Sequence, residues 1–444
     1  MVLPSTQTHS PKPAKSKVQM ARRAALGSFL GSVVEYYDFF VYGTAAALLF
    51  GELFFPAGDE FSGTLASLAT FGVAYIARPT GAILFGNLGD RLGRKKVLLA
   101  TLLLMGASTF AIGLLPTYDA IGWWAPLLLV VCRLLQGISA GGEQVGASLL
   151  TMEHAPAKKR GLYTSWLLNG AAIGSLSATA IFIPLEAMPR EALLSWGWRI
   201  PFLISCVVVL VSMVVRMGVD ESPEFSEGAK KSSTTASRFP IAVLFRTQLR
   251  AALTVFVSAF SIVISTVVMV FGLSYATSHH GVDRPGMLAA ISGSQFVALA
   301  CHPLFGALAD KVGRKKIFVI GSFACAFGAF GFFAAIVSGN LALIIAMTIL
   351  LKGVLYAAPN ALWPSFFAEQ FSTDVRYTGV ALSTQLSFLV TGFAPTICFA
   401  LLGANDNWVL AASFVAGACV LAGIAASTAK IVPDASENKD EAAH

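Results

Sequence analysis

One phrase occurs twice in this chain, and it limits the fold more than any other feature. Residues 86–96 read GNLGDRLGRKK and residues 306–316 read GALADKVGRKK. Each copy separates two long apolar stretches. An acid and a base seven residues apart follow each copy, Glu153 and Arg160 in the first half, Glu369 and Arg376 in the second. The same order of Gly, Asp, Arg and Lys at matching places implies two similar halves joined in one chain.

Composition says where those halves reside. Of 444 residues, 56% are hydrophobic and 12% charged, with a mean hydropathy of +0.71. A soluble domain carries about 25% charged residues, so this chain has too much apolar surface for a water-soluble core and is expected to be an integral membrane protein. A helical span needs about 20 apolar residues. Breaking the chain at charged and Pro/Gly-rich punctuation predicts twelve, near 25–50, 62–86, 97–116, 123–150, 161–184, 198–217, 252–278, 286–309, 317–338, 341–367, 378–402 and 408–430.

Charge placement supports the count. With both termini on the cytoplasmic side, 25 of the 31 Lys and Arg residues fall on the inner side, 3 in outer loops and 3 inside spans, the asymmetry of the positive-inside rule. The predicted domains are a cytoplasmic tail at 1–24, a six-helix bundle at 25–217, a cytoplasmic linker at 218–251 with a short amphipathic helix around Ile241–Leu249, a second six-helix bundle at 252–430 and a tail at 431–444. Residues 1–20 lack the apolar segment of a signal peptide. The net charge of +7 reflects this topology and not nucleic-acid binding. All six cysteines lie in apolar stretches without a CxxC pair, so free thiols are expected. No histidine–cysteine–carboxylate cluster has metal-ligand spacing, no phosphate loop occurs and no catalytic triad stands out. Neither an enzyme nor a cofactor other than a proton is expected.

The ionisable residues inside spans are the candidates for function. A carboxylate at mid-membrane costs about 3 kcal/mol to insert, so Glu35 and Asp38 on the first span should face an internal passage and carry a partner or a proton. Three residues apart, they share a helical face that Tyr42 continues. Arg133 is the expected partner of Glu35. Arg78 and Lys352 are the other intramembrane cations. At 100° per residue, Tyr356, Pro359 and Trp363 lie within about 40° of Lys352, a cationic and aromatic face suited to a ring-bearing carboxylate. His302, the only histidine inside a span, reads as structural. Gly137 and Gly141 read as packing positions for close helix approach. In the repeated stretch, Asp90 and Asp310 can accept from the amides of a following helix, and Arg94 and Arg314 can pair with Glu153 and Glu369.

These stretches resemble the major facilitator superfamily, whose signature the repeated phrase is similar to. GSVVEYYDFFVYG (31–43), ARP (77–79), RLLQGISAGGE (133–143), SWGWRIPF (195–202), ESPEF (221–225) and EQFSTDVRYTG (369–379) resemble its metabolite:proton symporter branch, whose members carry shikimate, 2-oxoglutarate, citrate and proline or betaine. ARRAALGSF (21–29) and TLASLATFGVAY (64–75) look most like the shikimate-type members. The resemblance implies an all-α membrane protein of twelve transmembrane helices in two pseudo-symmetric halves, the major facilitator fold. It further implies a proton-coupled symporter of the bacterial cytoplasmic (inner) membrane that works as a monomer and imports a small organic acid. Uptake of a zwitterionic osmolyte, or uniport or export of a small metabolite, is the alternative. On this reading Glu35, Asp38 and Arg133 couple the proton. Tyr42, Arg78, Gln136, Lys352 and Tyr356 bind an anionic small molecule. Asp90, Arg94, Glu143, Glu153, Arg160, Asp310, Arg314, Glu369 and Arg376 form the cytoplasmic gate. The lipid bilayer is the other partner.

Overall fold

The structure, a computed structural model, describes residues 17–56, 60–92, 94–141, 148–149, 151–152, 155, 159–217, 240–372, 375–403 and 406–432. Glu143, Glu153, the side chains of Asp90 and Arg94, residues 218–239 of the linker and most of both tails lie outside the described residues. No strand occurs among those described. Twelve rods organise the chain: α1 (Lys17–Leu48), α2 (Glu60–Leu92), α3 (Arg94–Leu114), α4 (Trp124–Ala140), α5 (Arg160–Ala180), α6 (Ile200–Met217), α7 (Leu249–His279), α8 (Arg284–Val312), α9 (Arg314–Val337), α10 (Leu341–Ala368), α11 (Arg376–Leu402) and α12 (Trp408–Ser427). Among the described residues nine helices are long and apolar enough to cross a bilayer, and α3 and α4 each contain a shorter apolar segment. A short helix, Pro240–Thr247, lies in the linker near the predicted amphipathic segment.

The repeated phrase is not a loop. Gly306–Val312 is the end of α8, Arg314 opens α9, and the turn is the single residue Gly313 at φ 107°. A side chain is strained in that region, so glycine makes the one-residue reversal possible. The first helix also begins at Lys17, earlier than the predicted boundary at 25, because the Ala, Arg, Gln and Met residues before the apolar run are strong helix formers.

Within the first half, α1 packs on α5, α2 on α4 and α3 on α6; in the second, α9 packs on α12 and α8 on α10. The halves meet where α5 lies against α8 and where α2 lies against α11. Exchanging the halves maps α2 onto α8 and α5 onto α11. The two seams are therefore one contact made twice, as a two-fold axis between duplicated bundles requires. Small residues permit the approach. A Cβ on Gly161 of α5 would come within 2.8 Å of Gly306 O on α8, and one on Gly306 within 2.7 Å of Gly161 O.

That seam carries a lock. Asp310 of α8 accepts hydrogen bonds from the backbone amides of Gly161 (2.9 Å) and Leu162 (3.0 Å) at the start of α5. Contrary to the sequence expectation, the carboxylate caps a helix of the opposite half and not the helix that comes next in the chain. Its charge also complements the positive end of the α5 dipole. Arg314 holds the same carboxylate at 2.8 Å and pairs with Glu369 on α10. Hydrogen bonds to a charged group are worth about 1.5–3 kcal/mol. Asp310→Asn should therefore weaken closure at this end about tenfold. The check is labelling of a Ser165→Cys reporter, buried one turn into α5, by an impermeant maleimide; unchanged labelling would mean Asp310 does not hold the halves together.

Candidate functional site

Between the halves lies a cavity of about 50 Å³, lined by α1, α2 and α5 on one side and by α7, α8, α10 and α11 on the other. A water needs roughly 10–15 Å³, so the space holds a few waters. Both ends are shut. The Asp310 lock closes one. At the other, Phe61 stacks on Phe399 with centroids 4.8 Å apart, and Arg284 of α8 approaches Glu186 of the first half at 3.4 Å. At that mouth His280 lies 3.4 Å from Asp406, and burial holds its imidazole below the usual range against the pull of that carboxylate.

Within the cavity, Arg78 reaches Glu35 at 3.3 Å, both side chains nearly inaccessible. The Arg78 guanidinium sits in an aromatic frame, 4.7 Å from the Phe39 centroid, 4.9 Å from Tyr75 and 5.7 Å from Phe388 of the opposite half. Across from this pair is Lys352 on α10. It is 4% exposed and lines the cavity. Its Nζ lies 4.7 Å from the Tyr356 ring centroid and has no ion-pair partner among the described residues. Lys352 falls in a π-helical segment, Ile349–Leu355, where Tyr356 N donates to Leu351 O. A π turn inserts one extra residue and rotates the helix beyond it. Asn360 therefore lines the cavity beside Tyr356 and Trp363, while Pro359, expected on that face, packs toward Gly321 of α9.

A chain of amides and one imidazole joins the halves. Asn169 of α5 donates its Nδ2 to Leu299 O at 3.1 Å, which turns its Oδ1 toward His302 Nδ1, also at 3.1 Å. On the far side of the ring, Asn360 Nδ2 faces His302 Nε2 at 3.1 Å. With the Asn169 carbonyl at Nδ1, that nitrogen carries a proton and donates.

Sequence comparison then places the whole arrangement. A Major Facilitator Superfamily profile matches residues 28–395. The chain belongs to the Major Facilitator Superfamily. It is 38% identical to the shikimate transporter of Escherichia coli (strain K12) over 93% of this chain and 95% of that protein. It is 34% identical to the proline/betaine transporter of the same organism over 92% of this chain and 83% of that one. Its fold matches the E. coli xylose transporter XylE in a partially occluded inward-open conformation, with a TM-score of 0.72 and 19% identity over 94% of this chain and 99% of that one. The chain is a multi-pass membrane transporter of this superfamily and not an enzyme.

Three sequence expectations change within this superfamily fold. Arg78, not Arg133, makes the ion pair with Glu35. Arg133 is fully buried inside the first bundle and donates to Thr70 O (3.3 Å), Phe71 O (2.8 Å) and Gln136 Oε1 (2.8 Å), while Gln136 donates to Thr109 Oγ1 (2.7 Å). Tyr42 and Gln136 belong to that internal network and not to the cavity wall. The Tyr42 ring lies 3.9 Å from the Arg133 guanidinium, and its hydroxyl donates to Thr70. Asp38 parts from Glu35. It is 1% exposed and away from the cavity lining. The cause lies in helix rotation. Three residues are 300° apart, and that 60° offset divides the cavity wall from the bundle interior. Tyr356 does line the cavity. At the locked end Asp310, Arg314 and Glu369 come together, Arg376 is buried with its Nε toward Phe371 O, and Arg160 opens the helix that Asp310 caps.

His302, Asn169, Asn360 and Gln295 were missed or discounted as site residues. A polar residue facing its counterpart across a seam gives no periodic signal. Removing one partner of the His302 chain leaves buried polar groups unsatisfied, at about 1–3 kcal/mol. Asn169→Leu and His302→Leu should each lower thermal stability, and the double variant by less than their sum, with a coupling of about 0.5–3 kcal/mol. Strict additivity in detergent melts would sever the link between these residues.

Proposed function

We propose that this transporter is a proton-coupled symporter that brings a small organic anion into the cell by alternating access. The observation that carries this reading is the basic side chain of Lys352, 4% exposed, lining the cavity between the halves with no anionic partner among the described residues. Buried charges are paired or they are expensive. A carboxylate entering from water meets here the group that compensates its lost hydration.

Glu35 and Arg78 supply the coupling. While Glu35 is ionised, Arg78 is engaged with it. A proton on Glu35 removes the charge that holds the guanidinium, and a substrate carboxylate takes its place. Arginine, with its planar fork, suits that exchange better than lysine. Before loading, the charges of Glu35, Arg78 and Lys352 sum to one positive charge. One proton and one monoanion leave that sum unchanged, so the closed loaded state has the same charge as the closed empty one. Asp38 sits outside this exchange, away from the cavity lining.

The cycle is set by the lock and its counterpart. Opening at Glu186–Arg284 and Phe61–Phe399 admits both ligands; closure there and release of Asp310 from α5 discharge them. The positive-inside asymmetry orients the Asp310 end, both termini and the linker toward the cytoplasm. The chain acts as a monomer in the bacterial inner membrane, with no cofactor beyond the proton. The aromatic lining also favours a second reading, a zwitterion whose quaternary ammonium stacks on Tyr75 or Trp363.

In proteoliposomes, uptake of shikimate or a related acid should follow an imposed pH gradient and respond little to membrane potential alone. Lys352→Met should reduce it by more than about 100-fold, since stranding a buried charge costs about 3–5 kcal/mol. Uptake indifferent to the pH gradient ends the symport reading; full uptake by Lys352→Met ends the anion site.

A further inference from the structure

Resting on the anion site just proposed, the geometry points to Gln295 as the residue that selects among such anions, by accepting a hydrogen bond from a substrate hydroxyl next to the carboxylate held by Lys352. Gln295 is on α8, 2% exposed, and lines the cavity. Its Nε2 points at Met269 Sδ, 3.6 Å away, and its Oε1 is buried without any hydrogen-bond partner. The direction of the amide is settled chemically. A thioether sulfur only accepts, so the NH2 end faces it and the carbonyl is the end left open.

The two helices place this carbonyl beside the lysine. His302 and Asn360 touch, at 3.1 Å, and so set the register of α8 against α10. Both helices run toward the Asp310 end. Gln295 precedes His302 by seven residues and Lys352 precedes Asn360 by eight, about 10–12 Å of helical rise in each case. They therefore lie at nearly the same depth. The neighbouring residues agree, since a Cβ on Gly353 would stand 2.8 Å from Ser294 O. An ammonium and an amide carbonyl thus stand side by side on one wall, and no hydrogen bond joins them. A ligand that satisfies both carries a carboxylate for the first and a neutral donor for the second. A hydroxyl meets that need. An ammonium would also donate, but against the like charge of Lys352. A quaternary nitrogen has no proton to give. The substrate class is thus a small hydroxylated monocarboxylate.

The test measures binding of two ligands to the full chain in detergent by thermal shift and competition: shikimate, and the same cyclohexene carboxylate without hydroxyls. The intact protein should prefer shikimate by about tenfold or more, because a site built to bond a hydroxyl rejects the analogue that lacks it. Gln295→Met, similar in length but unable to accept strongly, should bring the preference close to one while leaving the deoxy acid bound and still dependent on Lys352. Gln295→Glu places a carboxylate beside Lys352 and should weaken both acids about tenfold or more. An unchanged preference in Gln295→Met, or an equal loss of both acids in that variant, overturns the role of Gln295 while the anion site stands. If Lys352→Met binds both acids as the intact protein does, the anion site itself fails.

Discussion

A charge in oil needs a partner, and among the described residues one intramembrane basic side chain, Lys352, has no ion-pair partner. Arg78 has Glu35, and Arg133 has two carbonyls and an amide. Lys352 has an aromatic ring and a small space between the halves. The rest of the site depends on that difference. Arg133 ties helices within the first half, where it sets register. Arg78, Glu35 and Lys352 face the cavity between the halves. On the proposed function the first half contributes a switchable ion pair and the second a fixed cation, an asymmetry that sequence duplication alone would not produce.

Duplication explains the scaffold better than the site. The α5–α8 and α2–α11 seams repeat one contact. A seam made twice around a two-fold axis can open at one end while it closes at the other. The lock suits that motion, because Asp310 is bound to its own half through Arg314 and, among the described residues, to the other by backbone amides. Amides at a helix start cannot rearrange to track a departing carboxylate, so the contact is either made or lost. The far mouth is closed differently, by ring stacking and a longer ion pair.

The helical spans were legible because the bilayer enforces a length. Lys352, Arg78 and Glu35 were legible because an ionisable residue within an apolar run is expensive enough to need a reason. What was not legible was rotation. Depth alone matches Glu35 to Arg133, and depth does not say which face of α4 looks inward; Arg133 looks into its own bundle. The π segment in α10 was likewise invisible, since Ile349–Leu355 reads as an ordinary apolar helix, yet it decides that Asn360 and not Pro359 reaches the cavity. Gln295 carried no charge and no motif. Its significance appears only when its carbonyl is found buried and unbonded.

The proposed function and the proposed role of Gln295 together put selectivity and coupling in different halves. On that proposal, exchanging Arg78 between Glu35 and a carboxylate responds to any monoanion, because a guanidinium reads charge and planarity. Such a switch alone would couple protons to many acids. The opposite wall adds what the switch lacks. An amide carbonyl beside an ammonium distinguishes a hydroxyl from a methyl and a neutral donor from a cation. Because closure must bring both walls onto the same molecule, a ligand that satisfies the ammonium but leaves the carbonyl dry forfeits a hydrogen bond at the moment the cavity shuts. Discrimination then falls on the closing step and not on first encounter, which is where a transporter that rocks between two open states gains most from it.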